Sequence, residues 1–290
     1  MHDMTRGPVT SHVVRLAGFI AVSTAFQTLY FLADLYFVGR LGKEAVAGVG
    51  LAGTVNFLVL ALTQTLGVGA TSLVAQALGR KEKPRAELLF NQSFVLSSIT
   101  GLVFGILFFS LRTPYLSRFA ADEATAIQGG HYLRWFIPAL FLQFPMVAMG
   151  AALRGMGDMK IPTLIQVATV IINIVLAPTL MFGWVTGHPL GVEGTAIASL
   201  VAVATGCLGL TLYFRRADSP VTFRPAMWNP LPGLWRDMLR IGLPSGGEFA
   251  LMSVYIVLVY DIIRPFGAAA QAGFGIGARV MQALFLPTVA

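Results

Sequence analysis

Apolar residues run through this chain in long blocks, not in the alternation of a half-buried strand. Stretches without Asp, Glu, Lys or Arg cover 16–33, 45–79, 88–111, 135–153, 161–192 and 194–214. Each is long enough to cross a hydrocarbon core of about 30 Å at about 1.5 Å per helical residue. The pattern predicts eight helices, over 12–38, 45–78, 87–110, 127–153, 161–183, 190–214, 236–264 and 268–290. Segment 45–79 would be roughly 52 Å long as a helix, too long for an upright crossing and too short for two. It reads as one tilted helix, with "GVGA" (67–70) as the place for a bend. A transmembrane barrel would need alternating segments of roughly ten residues, and none is present.

Composition agrees. Of 290 residues, 56% are hydrophobic and 11% charged, against about a quarter charged in soluble domains. The fold class is therefore all-α, a polytopic membrane helical bundle. The net charge of +7 matters by its distribution. The N-terminus and the segments after the second, fourth and sixth helices carry thirteen Lys or Arg, from Arg6 and Arg15 through Arg80, Arg154 and Lys160 to Arg240. The alternate loops carry six: Arg40, Lys43, Arg112, Arg118, Arg134 and Arg264. That bias places the N-terminus in the cytoplasm, and no nucleic-acid partner is needed to explain the basicity. The single Cys207 allows no internal disulfide.

Segment 215–235, "RRADSPVTFRPAMWNPLPGLW", holds four prolines and reads as a cytoplasmic linker between two bundles. The residues after it repeat the first helical pair at an offset of 225. Arg15 matches Arg240, Gly42 matches Gly267, and Ala45, Ala47, Gly48, Gly50 and Val55 match Ala270, Ala272, Gly273, Gly275 and Val280. Six helices separate the copies, so both enter the membrane from the same side, a parallel repeat as in one plan of secondary transporters. The division is a six-helix lobe over 1–214, the linker, and the start of a second lobe over 236–290. Ala290 then corresponds to Thr65, inside a helix, and the expectation is a fragment of a protein of about twelve helices whose C-terminal lobe is missing.

The assembled motifs resemble the multidrug and toxic compound extrusion (MATE) family of cation-coupled efflux transporters. They are "ADLYFVGRLG" with "EAVAGVGLAG", "LVAQALGR", "ALRGMGDMKIPT", "IINIVLAP", "GVEGTAIAS", "IGLP" and "AAAQAGFGIGARV", in that order along the whole chain. The resemblance implies two six-helix lobes, alternating access, and export of amphipathic, mostly cationic compounds against inward protons or sodium, without an organic cofactor.

Asp34 is the first candidate site residue. A charge at the middle of a membrane helix costs about 2.5–3.5 kcal/mol on insertion scales, so such groups usually face a cavity or a partner. Asp34 lies about four residues from the outer end of its helix, which leaves an interfacial carboxylate as the plain alternative. The resemblance assigns it the acidic position of the first lobe linked to ion coupling. Glu248, in the seventh helix, is either a carboxylate of the central cavity or an interfacial one pairing with Arg240. Asp261 stands three residues before Arg264, the spacing of a helical ion pair. Asn173 and Ser199 match polar positions of the family's first-lobe pocket, placed to hydrogen-bond Asp34 or an ion, or to join helices. Where some members carry a second carboxylate this chain has Ala177, which leaves proton against sodium open. Arg279 matches Thr54 in the repeat, with no partner evident.

Asn56, Gln64, Gln76, Asn91, Gln92 and Gln143 read as packing groups, and so do Phe141, Phe144, Met146 and Met149. "RGMGD" (154–158) lacks the strand and the Gly-Lys-Ser/Thr of a nucleotide loop and reads as a tight turn. His2, His12, His131 and His188 have no metal-ligand spacing, and no nucleophile triad is visible. An enzyme is not expected. The alternatives to an antiporter are a flippase for lipid-linked saccharides, whose cavity would be basic, and a non-transporting truncated membrane protein.

Overall fold

The computed structural model describes residues 18, 25–26, 28–29, 33–34, 36–184, 187–215 and 221–289. The described helical positions within 18–39 are labelled α1. They are followed by α2 (Lys43–Gly79), α3 (Lys83–Phe119), α4 (Glu123–Gly155), α5 (Lys160–Phe182), α6 (Val192–Phe214), α7 (Pro232–Ile263) and α8 (Ala268–Val289), with single 3-10 turns at Pro225–Met227 and Arg264–Phe266. No strand occurs among the described residues. Most of the predicted first helix, with Arg15, lies outside them. Helices α2 to α7 are each long and apolar enough to cross a bilayer.

Two helices form the interior. The apolar windows of α2 and α4 are mostly buried, whereas α3, α5, α6 and α7 turn Leu102, Ile106, Val175, Leu208, Leu251 and Leu258 outward. Lipid tails are as apolar as leucine, so such faces need no protein cover, and helices associate instead through small residues and close packing. The core holds Phe90, Phe104, Leu133, Leu140, Phe144, Met149 and Leu153. Helix α7 lies on α2 through Gly242 and Gly246, which face the Thr65 backbone and hydroxyl with no room for a Cβ. Gly69 of α2 likewise meets the backbone of Met238, and Gly67 faces Val147. The glycines of "GVGA" are thus points of close helix approach.

The repeat is visible in the backbone. Gly42 and Gly267, equivalent at the offset of 225, both precede a helix with φ of 109° and 86° and extended ψ. That combination is open to glycine and strained for other residues. About two turns further, Gly50 of α2 and Gly275 of α8 meet each other, with the Tyr260 hydroxyl beside both. Equivalent positions that touch lie on the axis relating the copies.

Two helix boundaries differ from the hydropathy pattern. Helix α3 continues past Arg112 and Pro114 to Phe119, because a charged residue marks the edge of hydrocarbon and not the end of a helix. Helix α7 begins at Pro232, inside the predicted linker, since proline is accepted in a first turn where its missing N–H has no partner anyway. Helix α4 is capped by Asp122, which accepts from the Thr125 N–H at 2.8 Å. That hydrogen bond holds the exposed Asp122 carboxyl below the usual carboxylate range. "RGMGD" forms the tight turn expected: Gly157 has φ 77° and Asp158 accepts from the N–H groups of Lys160 and Ile161.

The linker is bound to α3. Asn91 donates to the Glu87 and Thr222 carbonyls and accepts from Arg224 N and the Trp228 indole. Gln92 donates to the Met227 and Asn229 carbonyls and accepts from Leu231 N and the Trp235 indole. Glu87 adds bonds to Thr222 and an ion pair to Arg224. At the opposite end of α3, Gln271 of α8 bonds Phe119 O and Ala121 N. Arg118 pairs with Asp261 at 2.6 Å, and Arg264 donates to Ala120 O. The expected Asp261–Arg264 pair is therefore corrected. The α-helix ends at Ile263, and Arg264 leaves its face in the 3-10 turn with Pro265.

Candidate functional site

The buried carboxylate of α1 meets a guanidinium of α8. Arg279 Nη1 donates to Asp34 Oδ2 at 2.9 Å, with Asp34 only 6% exposed. The other oxygen, Oδ1, is buried with no hydrogen-bond partner among the described residues. The contact is thus a single charge-assisted bond, half of what a bidentate Arg–carboxylate pair uses. The partner the sequence left unnamed for Arg279 is Asp34. Arg279 and its repeat equivalent Thr54 both line one cavity, where Thr54 also hydrogen-bonds Tyr115 of α3.

That cavity has a volume of ≈ 280 Å³ and is walled by α1, α2, α4, α5, α6, α7 and α8. Asp34, Asn173 and Ser199 all line it, so three of the four predicted site residues come together. Asn173 donates to Ser199 Oγ at 2.9 Å, and Ser199 donates to Thr195 O at 3.1 Å. Their hydrogen bond joins α5 to α6 at the cavity wall. Along α4 the lining runs from Tyr132 to Arg154, about 33 Å at the helical rise.

Glu248 is not among the lining residues. It is exposed on α7 and makes no ion pair with Arg240 among the described residues. The reason is helical phase. Gly242 and Gly246 face α2, and two residues past Gly246 is about 200° around the helix. Phe144 and Met149 are core, as their apolar character suggests, but Met146, Asn56 and Gln143 line the cavity where packing was expected. His131 pairs with Glu193 between α4 and α6, away from the cavity. Among the described residues no three His, Cys, Asp or Glu side chains are grouped to hold a metal.

Arg154 is the residue the sequence reading missed. It was counted as a loop charge, yet it sits in the last turn of α4 and lines the cavity. The signal was its spacing: Gln143, Met146, Val147, Gly150 and Arg154 recur with the period of one helix face. The charged side chains in the lining are then Asp34, Arg154 and Arg279, with one cation in excess.

The MatE family model matches residues 20–179. The Bacillus subtilis protein described as probable multidrug resistance protein YoeA is 27% identical over 274 residues, which are 93% of this chain and 59% of that protein. A multidrug resistance MATE family transporter of the MOP superfamily, solved in an inward-facing conformation, matches 90% of this chain with TM-score 0.82 and 29% identity. A MOP superfamily transporter from Pyrococcus furiosus, described as having a binding pocket of reverse polarity that suggests a different function, matches 98% with TM-score 0.85 and 28% identity. The chain spans 59% to 62% of the length of these relatives. With a family match over more than half of its residues and membrane-capable helices throughout, this multi-pass membrane chain belongs to the MatE family.

Proposed function

We propose that the chain forms the first lobe and the opening helices of the second in an ion-coupled multidrug antiporter of the cell membrane, with its N-terminus cytoplasmic. One observation carries the reading: a buried carboxylate of α1 bonds Arg279 of α8 in the lining of a cavity, with one of its oxygens without a partner among the described residues. Asp34 is the ion-loading group. Arg279 beside it favours a proton over sodium, because a metal cation would face a fixed positive charge at close range in a low-dielectric setting.

Protonation removes the charge that Arg279 is paired with. A buried charge whose partner is lost is destabilised by about 3–5 kcal/mol, which disfavours the present packing of α8 beside α1. Proton binding thus acts as a differential ligand for two packings of the lobes, as alternating access requires. Asn173 and Ser199 form the polar wall of the cargo pocket, and amphipathic compounds find apolar surface at Met146, Ile165 and Val203. The names of the relatives support the cargo class. Glu248, exposed on α7, keeps a coupling role only through parts of the protein beyond these residues.

The test is dye efflux from proteoliposomes holding the purified protein, driven by an imposed pH gradient. Efflux of a lipophilic cationic dye should need the proton gradient, ignore sodium, and disappear in Asp34→Asn. Undiminished efflux in that variant would sink the assignment. The excess cation in the cavity favours a second reading, a flippase for lipid-linked saccharides, and the reversed pocket polarity described for the Pyrococcus relative is in line with it.

A further inference from the structure

We propose that the end of the cavity nearest the linker is a binding subsite for the anionic group of an amphipathic ligand, a carboxylate or a phosphate, with Arg154 as its counter-ion. The inference rests on the reading that this cavity takes the cargo, and widens the cargo class to amphipathic compounds that carry an anionic group.

Arg154 lines the cavity from the last turn of α4, with its guanidinium lying over Gly150. Among the described residues its guanidinium makes no ion pair and no hydrogen bond. The nearest carboxylate in sequence, Asp158, is committed to capping Lys160 and Ile161. Glu87, at the same end of the bundle, is held by Thr222 and Arg224. The end of the α4 dipole favours a cation there but leaves the five N–H donors of the guanidinium unsatisfied.

The surroundings suit an amphipathic molecule. Met146, Val147, Ile165 and Leu210 offer apolar contact, and Gln166 lines the cavity from α5. The planar fork of Arg matches carboxylate and phosphate oxygens two at a time, and attraction grows where apolar walls exclude water. Gln166 lies seven residues from Asn173 on α5, about 10 Å along the helix. A ligand holding Arg154 by its acidic end therefore extends its apolar body toward Asp34 without occupying the proton site.

The test uses the purified protein in nanodiscs of phosphatidylcholine, with 2-naphthoate and its uncharged analogue 2-naphthamide titrated calorimetrically. The expected result is a roughly tenfold or greater preference for naphthoate, the scale of a hydrogen bond to a charged group. Arg154→Gln should erase the preference and Arg154→Lys should keep part of it. Equal affinities of the two compounds for the unaltered protein, or a preference that survives Arg154→Gln, would overturn the proposal. The first comparison needs no variant, so a misfolded R154Q protein leaves it decisive. Repeating it with phosphatidylglycerol in the discs identifies the source of the anion: a preference lost there assigns the subsite to the phosphate of a net anionic lipid, and one retained assigns it to the diffusible compound. Binding is read at equilibrium without an ion gradient, so failure of proton coupling at Asp34 would not affect the outcome.

Discussion

Asn91 and Gln92 on α3 and Asp34 on α1 are all buried polar side chains in helices of the bundle, yet they are treated in opposite ways. The two amides are fully buried and use all four of their hydrogen-bonding positions, all on the linker and the start of α7 except the Asn91 bond to the Glu87 carbonyl of α3. The carboxylate receives one bond, from Arg279, and keeps one oxygen without a partner among the described residues. A saturated group fixes geometry, because any movement leaves a donor or acceptor stranded in a low dielectric. An unsaturated one has capacity left for something that arrives. The linker end of α3 is held on every side, and the cavity keeps a polar atom available, as the proposed exchange of a proton requires.

The largest effect that would break this contrast concerns transport. Asp34→Asn should abolish coupled efflux and Arg279→Gln should reduce it by roughly tenfold or more, within the range of coupling energies between sites, while both proteins still insert in the membrane. Efflux in proteoliposomes measures this, and wild-type rates in the arginine variant would remove Arg279 from the mechanism. Gln92→Leu should do the reverse. It strands the Met227 and Asn229 carbonyls and two N–H donors, which costs about 1–3 kcal/mol for each group that water does not reach. A lowered thermal midpoint in detergent, with unchanged efflux per folded molecule, is the expected pattern. An unchanged midpoint would mean that the linker is not held by these amides.

The two faces of α7 sharpen the same distinction. Gly242→Ala drives a methyl group into the Thr65 carbonyl and should destabilise by about 1–3 kcal/mol. Gly247→Ala, five residues along, meets nothing within 4 Å and should be neutral or gain up to about 1 kcal/mol from helix propensity. Thermal midpoints of the pair check this, and equal effects would contradict the close approach of α7 to α2. The smallest effect belongs to Arg118 and Asp261. Their side chains are 56% and 36% exposed, and such pairs contribute about 1 kcal/mol or less. A double-mutant cycle on the thermal midpoint should find less coupling here than at Gln92.

Most of the fold was legible because hydrocarbon imposes so strong a rule. Every backbone polar group must be satisfied within the helix, so a long apolar run has one structural outcome. Helices α2, α4, α5 and α6 follow that rule within a few residues of their hydropathy limits. The repeat was legible for a similar local reason: Gly42 and Gly267 start helices at matching places because their φ values exclude most other residues. Asp34, Asn173 and Ser199 were legible as a group because a polar side chain in such a run needs a cavity or a partner. Glu248 does not line this cavity because helix phase, not sequence neighbourhood, decides which side of α7 faces it.

What the sequence determined by itself, then, is the set of spans, their order, the repeat and the residues too polar to face lipid. Each follows from the free energy of placing one segment in hydrocarbon, which depends on local composition. Partnership was decided only by the tertiary structure. Asp34 and Arg279 are 245 residues apart, Asn91 and Gln92 bind a linker more than 130 residues away, and Arg154 becomes a cavity residue only when α5 and α6 pack beside it. Such pairings depend on which helix faces meet, and the composition of either segment alone carries no record of that.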